Sequence, residues 1–256
     1  MKDVIESDPQ WKKSFEEDGY VAIRGFLDAD EIAEMKSNID RYIRDVVPGL
    51  EPIEVFYEDK QRPDTLKQLP RMDEHDPYFD RDVSKGKFKQ LAELLLGEGC
   101  RERGVQYFNK PPSLGKPTPP HQDGFYWKIE PCAGLTMWLA LEHVDEENGC
   151  LHYSRASHKK GMRDHGRTGT LGFSQGIIGF PNKDDRTGDS ALFAEAGDLL
   201  VHQALTVHWA SGNDSINRSR KSLGIVYHAA GVRVDSALRN AYQNELHQDL
   251  EKAGKI

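Results

Sequence analysis

The residues best suited to chemistry in this 256-residue chain are His121-Gln122-Asp123. On an extended backbone, side chains at i and i+2 leave the same face, so this imidazole and carboxylate can take adjacent positions on one metal ion. A second imidazole would complete a two-histidine, one-carboxylate facial triad, a donor set that holds Fe(II) on one side and leaves the other side open. The same tripeptide recurs as His247-Gln248-Asp249. There the surrounding spacing is helical, i and i+2 point about 200° apart, and the two side chains cannot share a metal. Chance matches therefore occur, and the first copy needs support from the rest of the chain.

The third donor is expected from a later strand. The segment Gly197–Asn213 offers His202 and His208. His208 closes an apolar alternation beside a Ser-Gly-Asn turn, where site residues collect. His202 reads as a core histidine or as one that supports a ligand, and His228 as structural. Spacing alone favours His208 by a narrow margin.

Several elements must position these groups. Ile32, Met35, Ile39, Ile43 and Val46 recur at helical spacing, with Asp28 or Asp30 as the cap and Pro48 as the stop. Just before them, Gly19–Gly25 reads as a short strand. Phe88, Leu91, Leu94 and Leu95 form a second helical stripe from Lys87 to Leu96, closed by Gly97. Residues 48–85 are polar and proline-punctuated, with no clear period. After Gly104 the pattern turns extended: Val105–Lys110, Leu135–Leu141, Gly149–Tyr153, Ala191–Ala194, Asp198–Val201, Ala204–His208 and Ser222–His228 are short runs between turn residues. Many short strands predict a mainly β sandwich or jelly roll. Pro111–Pro120 reads as a stiff loop inside one domain rather than a linker, and Ser236–Lys252 as a surface helix. The expected organisation is one domain over 1–256, with a helical portion at 1–100, a β core at 101–232 and a C-terminal helix at 233–256.

Composition bounds the function classes. The chain is 37% hydrophobic and 30% charged, with 34 basic against 42 acidic residues and a net charge of −8. A soluble globular protein is expected. The charge argues against binding to nucleic acid or anionic lipid, which needs a concentrated basic surface. The longest apolar run, Met137–Leu141, is far short of the roughly 20 residues that cross a bilayer. The N-terminus has no apolar signal core. Cys100, Cys132 and Cys150 form no CxxC pair and read as reduced core residues. Together these predict a cytoplasmic protein and leave its oligomeric state open.

Phe15-Glu16-Glu17-Asp18-Gly19-Tyr20, Asn109-Lys110-Pro111-Pro112, Glu147-Asn148-Gly149-Cys150-Leu151, Ser157-His158-Lys159 and the stretch from Gly197 to Leu223 lie in the right order around His121-Gln122-Asp123. Together they resemble the phytanoyl-CoA dioxygenase family of Fe(II)- and 2-oxoglutarate-dependent oxygenases, over nearly the whole chain. The resemblance implies a double-stranded β-helix (a jelly-roll, cupin-like fold) with flanking helices. It implies His121, Asp123 and His208 as iron ligands, with 2-oxoglutarate and O2 as co-substrates and ascorbate as a stimulant. A small-molecule substrate would be hydroxylated as succinate and CO2 are released. Asp123 implies hydroxylation over halogenation, because related halogenases carry a small residue there.

The resemblance also implies a basic residue about a dozen positions after His208 for the distal carboxylate of 2-oxoglutarate. Arg220 fits best, its rigid donor fork matching a carboxylate, and Arg218 is the alternative. Gln106 and Trp138 fall where the family lines the co-substrate pocket, and Arg71 is a weaker candidate. Ala210 stands where the animal enzyme has a serine that helps hold 2-oxoglutarate, with Ser211 as a substitute. Arg155-Ala156-Ser157-His158 departs from the family's Pro-Gly-Ser-His. The C-terminal Ala-Gly-Lys-Ile is not a peroxisomal address, which speaks against the family's name-giving lipid substrate.

Two features keep two readings each. Phe125-Tyr126-Trp127 either lines the substrate pocket or packs. Arg155, His158, Lys159, Lys160, Arg163, His165 and Arg167 form either a solvated loop or an entrance for an anionic substrate such as a carboxylate or phosphonate. Two other function classes stay open: a metal-dependent cupin-like enzyme that does not use 2-oxoglutarate, and a catalytically silent binding module. Arg220 speaks against the first and the intact triad against the second.

Overall fold

In the computed structural model, which describes residues 8–170, 173–235, 237, 238, 241 and 244, helix α1 (Pro9–Asp18) starts on the Asp8 cap and ends at Gly19, whose φ is 88°. Strand β1 (Tyr20–Ile23) follows, then α2 (Ala29–Asp45). Of the two aspartates expected to cap α2, Asp28 does so, in a capping box with Glu31 that satisfies two of the backbone N–H groups at the helix start. The helix ends at Asp45, and Pro48 lies beyond it in a 3-10 turn. The aperiodic region 48–85 folds into β2 (Phe56–Tyr57), β3 (Leu66–Leu69) and short α3 (Met72–His75). The second expected helix is α4 (Gly86–Leu96), closed by Gly97 in the left-handed conformation.

The extended half of the chain gives β4 (Cys100–Lys110), β5 (Thr118–His121), α5 (Asp123–Trp127), β6 (Ile129–Glu130), β7 (Gly134–Ala140) and β8 (Leu151–Ser154). It continues with β9 (His165–Thr170), β10 (Phe173–Ile177), α6 (Lys183–Gly188), β11 (Asp189–Leu192), β12 (Leu199–Gln203), β13 (His208–Ala210), β14 (Arg220–Ala229) and β15 (Arg233–Val234). The main strands assort into a large antiparallel sheet in the order β1-β12-β7-β14-β4-β3-β2 and a small one in the order β11-β8-β13-β5. This is the mainly β jelly roll with flanking helices that the sequence predicts.

Three expectations need correction. The N-terminal portion is not only helical: β1 lies where a short strand is expected, and β2 and β3 join the large sheet with it. The strand expected over Ala204–His208 does not form: Ala204 and Leu205 make a turn, and His208 opens β13. The turn brings the chain from the large sheet, where β12 pairs β7, to the small one, where β13 pairs β5 and β8. The proline-rich segment ends as strand, because Thr118, Pro119 and Pro120 belong to β5, and it carries the chain from the large sheet to the small one. The C-terminal helix expected over 236–252 falls largely outside the described residues, and the second His-Gln-Asp tripeptide wholly outside them. No helix among the described residues is long and apolar enough to cross a membrane.

The alternation of a strand, two residues per repeat, gives the large sheet two different faces. Val105, Tyr107, Leu135, Met137, Leu139, Leu199, Val201, Leu223, Ile225 and Tyr227 form one apolar cluster with Met35 and Ile39 of α2 and Phe88, Leu91 and Leu95 of α4. The residues between them, Gln106, Phe108, Lys110, Thr136, Trp138, His202 and Arg220, line a cavity between the sheets. Helices hold one face, and the other is free for chemistry.

Candidate metal centre and its cavity

His121 ends β5, Gln122 continues extended, and Asp123 is the first residue of α5. His208 is the cross-strand partner of His121. A link of some ninety residues is thus closed by sheet register, and three donors meet: their ligand atoms all lie within 4.8 Å of one another. Asp123 Oδ1 is 3.4 Å from His121 Nε2 and 3.7 Å from His208 Nε2.

Backbone carbonyls select the tautomer of both imidazoles. His121 Nδ1 lies 2.8 Å from the Pro119 carbonyl and His208 Nδ1 lies 3.0 Å from the Thr206 carbonyl. A carbonyl only accepts, so both Nδ1 atoms carry the proton and both Nε2 lone pairs face Asp123. Burial, reinforced by His202 and His121, pushes the His208 pKa well below the usual histidine value, and a histidine must be neutral to bind a metal. Burial works against the Asp123 anion, but the three surrounding imidazoles, His208 first, outweigh it and hold its pKa well below the carboxylate range. One anionic oxygen and two imidazole lone pairs make a donor set suited to Fe(II).

The cavity beside this cluster has a volume of about 280 Å³. Arg220, at the start of β14, lines it and is 4% exposed. Its Nη1 donates to Ser222 Oγ at 3.1 Å, its guanidinium lies 5.4 Å from the Trp138 ring centre, and its Nε has no partner. No carboxylate among the described residues pairs with it. Burial lowers its pKa to about 10. A buried cation without a counter-anion is costly, and a carboxylate from outside would relieve that cost. The cavity therefore offers a carboxylate an unpaired cation beside the triad. Gln106 and Trp138 line the same cavity.

Other expected residues fall elsewhere. Arg218 lies outside the cavity lining; it donates to Asp145 at 2.9 Å and to Glu147. Ser211 is exposed, and its carbonyl, not its hydroxyl, takes part, accepting from the buried Lys110 Nζ at 2.6 Å. Arg71 is 44% exposed and pairs with Glu54 at 2.7 Å. Tyr126 and Trp127 line the cavity, whereas Phe125 stacks on His165 with ring centres 4.2 Å apart. His228 is buried on β14 against Trp127, ring centres 4.7 Å apart.

The basic stretch stands apart from the cavity, and three of its cations are paired with aspartates. Arg155 pairs with Asp18, Lys160 with Asp184 and Arg163 with Asp185, at 2.7, 2.7 and 2.8 Å. None of its seven residues lines the cavity. Besides Arg220, the cavity cations are Lys67 on β3, Lys110 on β4, and Lys116. Glu58 stands 2.9 Å from Lys67 and 4.0 Å from Lys116.

Comparison with known proteins agrees with this geometry. The profile of the phytanoyl-CoA dioxygenase (PhyH) family matches residues 15–222. A probable alpha-ketoglutarate-dependent hypophosphite dioxygenase of Stutzerimonas stutzeri is 28% identical over 224 residues, covering 86% of this chain and 78% of that protein. The peroxisomal phytanoyl-CoA dioxygenase of Mus musculus is 24% identical over 254 residues, covering 95% and 75%. The crystal structure of EvdO2 from Micromonospora carbonacea var. aurantiaca complexed with 2-oxoglutarate shares the fold, with a TM-score of 0.72 at 23% identity over 92% of this chain and 96% of that one. With the profile spanning most of the chain, this protein belongs to the phytanoyl-CoA dioxygenase family of Fe(II)- and 2-oxoglutarate-dependent oxygenases.

Proposed function

We propose that the chain is an Fe(II)- and 2-oxoglutarate-dependent dioxygenase that hydroxylates a small anionic molecule, with His121, Asp123 and His208 as the iron ligands and Arg220 as the anchor of the co-substrate. Iron, 2-oxoglutarate and dioxygen together supply an oxidant strong enough to hydroxylate a C–H bond, with succinate and CO2 released. The chain's own residues supply the rest. The carbonyls of Pro119 and Thr206 fix both imidazoles with Nε2 toward the metal. Arg220 holds the distal carboxylate by charge-assisted hydrogen bonds. Trp138 and Gln106 wall the co-substrate and exclude water, and Tyr126 and Trp127 border the space left for substrate.

The observation that carries this reading is Arg220: a buried guanidinium, unpaired among the described residues, in the same cavity as the triad. A cupin-like enzyme without 2-oxoglutarate has no use for that cation, and a silent binding module has no use for the triad beside it.

The anionic substrate rests on charge. Lys67, Lys110, Lys116 and Arg220 line the cavity against Glu58 and Asp123, and a divalent iron adds to the excess. Burial and the neighbouring Arg220 lower the Lys110 pKa well below its usual value, yet the balance stays positive with Lys110 neutral. A dianionic co-substrate does not use it up.

The test is succinate release from 2-oxoglutarate with Fe(II) and ascorbate, in the parent protein and in Asp123→Ala. Release is expected in the parent and lost in the variant. Small carboxylates and phosphonates should stimulate it more than their neutral analogues. No succinate together with no 2-oxoglutarate binding would overturn the reading, and stimulation confined to neutral compounds would remove the anionic substrate.

A further inference from the structure

The Asp123 carboxylate lies between the two sheets, and each sheet approaches a different oxygen. From the small sheet, the cross-strand pair His121 and His208 face Oδ1. From the large sheet, the cross-strand pair Thr136 and His202 reach Oδ2. Thr136 donates its hydroxyl, and His202 Nε2 stands 3.1 Å away. The other nitrogen of His202, Nδ1, is 3.0 Å from the Tyr153 hydroxyl. Tyr153 is in turn the cross-strand neighbour of His208. Its fully buried ring stacks on Tyr20, with centroids 4.6 Å apart and planes 12° from parallel.

One placement of protons satisfies every partner. A carboxylate oxygen only accepts, so His202 presents Nε2–H to Oδ2. Its Nδ1 is then a lone pair, and the Tyr153 hydroxyl must donate to it. Two donors occupy Oδ2, and Oδ1 is the oxygen left facing the imidazoles. We infer that His202 and Tyr153 are positioning residues: Tyr153 holds His202 in its Nε2–H tautomer, and His202 with Thr136 turns Asp123 so that it offers a single oxygen to the metal. A second carboxylate oxygen on the metal would take a position that the co-substrate needs. His202 is not itself a fourth ligand, since both its nitrogens are engaged.

This rests on the triad being a divalent-metal site, and the test separates the two. Full-length protein and variants are titrated with Co(II) by calorimetry, with the visible absorption of bound Co(II) reporting its coordination. His202→Leu should weaken binding by roughly ten- to a hundredfold, the range for partners that orient metal ligands. His202→Gln keeps an N–H donor and should recover most of that loss. Tyr153→Phe should weaken binding by less, and should add nothing in the His202→Leu background, because its effect runs through His202. The Co(II) spectrum should change in His202→Leu and revert in His202→Gln. Unchanged affinity in His202→Leu and Tyr153→Phe overturns the proposal, as does additive loss in the double variant or a Gln variant as weak as Leu. If His202→Leu fails to fold, the near-isosteric Gln and Phe variants carry the test: equal or greater loss with Gln than with Phe overturns it. Asp123→Ala controls for the site itself. If that variant binds Co(II) as tightly as the parent, it is the metal site that fails.

Discussion

At the scale of single residues, Arg220 carries an unbalanced cost in the cavity. Its guanidinium is buried, its Nε has no partner, and burial already lowers its pKa to about 10. A hydrogen bond to a charged group is worth about 1.5–3 kcal/mol, so Arg220→Gln should raise the 2-oxoglutarate Kd by roughly ten- to a hundredfold. Arg220→Lys keeps the charge but loses the fork, and should fall between. Arg218→Gln should leave the Kd unchanged, because Arg218 serves Asp145 and Glu147 instead. In the apo protein the order inverts: Arg220→Met removes an uncompensated charge and should unfold no lower than the parent, while losing the stabilisation that 2-oxoglutarate confers. Calorimetric titration and thermal unfolding check both halves. The resemblance favoured Arg220 but kept Arg218 as an alternative, since two positions apart on a strand share a face. What separates them is that Arg218 precedes β14 and meets acidic residues more than seventy positions away.

At the scale of elements, the two faces of the large sheet divide stability from chemistry. Leu91 of α4 is fully buried against the face that carries Val105, Met137 and Ile225, with the cavity on the other side. Leu91→Ala should cost about 2–5 kcal/mol by transfer and cavity terms, read from the denaturant midpoint. It should leave the 2-oxoglutarate Kd within about twofold, since separated sites with no shared partners act independently. A large change in Kd would mean that the sheet transmits packing strain across its thickness. These elements were legible in proportion to how local their signals are. The α2 stripe, its cap narrowed to Asp28 or Asp30, and the Gly97 stop of α4 were readable, because caps and periodicity act within a few residues. Residues 48–85 were not: β2 and β3 hold two and four residues, too short for a period, and their place is set by pairing of β3 with β4 and of β2 with β3. For the same reason Glu58 and Lys67 could not be foreseen in the cavity. His121-Gln122-Asp123 was legible as a tripeptide and His202 as a core or supporting histidine, whereas Thr136 and Tyr153 reach that chemistry only through register between distant strands.

At the scale of the whole molecule, charge is distributed against its function. The chain carries a net −8, while its cavity is lined by four cations and two anions. A dianion such as 2-oxoglutarate is therefore repelled at long range and held only once inside. Salt acts differently on the two stages. The Debye length falls from about 30 Å at 0.01 M to about 8 Å at 0.15 M ionic strength, which weakens interactions across solvent far more than those between buried groups. The exposed Lys116 has Glu58 within 4.0 Å, and Arg155, Lys160 and Arg163 are each paired with an aspartate, so these cations do little to steer an anion inward. Raising ionic strength over this range should leave kcat/KM for 2-oxoglutarate flat or modestly higher. A steered approach through a basic entrance gives the opposite sign, because screening then removes an attraction. Initial-rate measurements of succinate release across that salt range decide between them: a severalfold fall in kcat/KM would mean that the basic stretch 155–167 guides the anion despite its ion pairs, and a flat or rising profile that capture is left to the buried cations of the cavity.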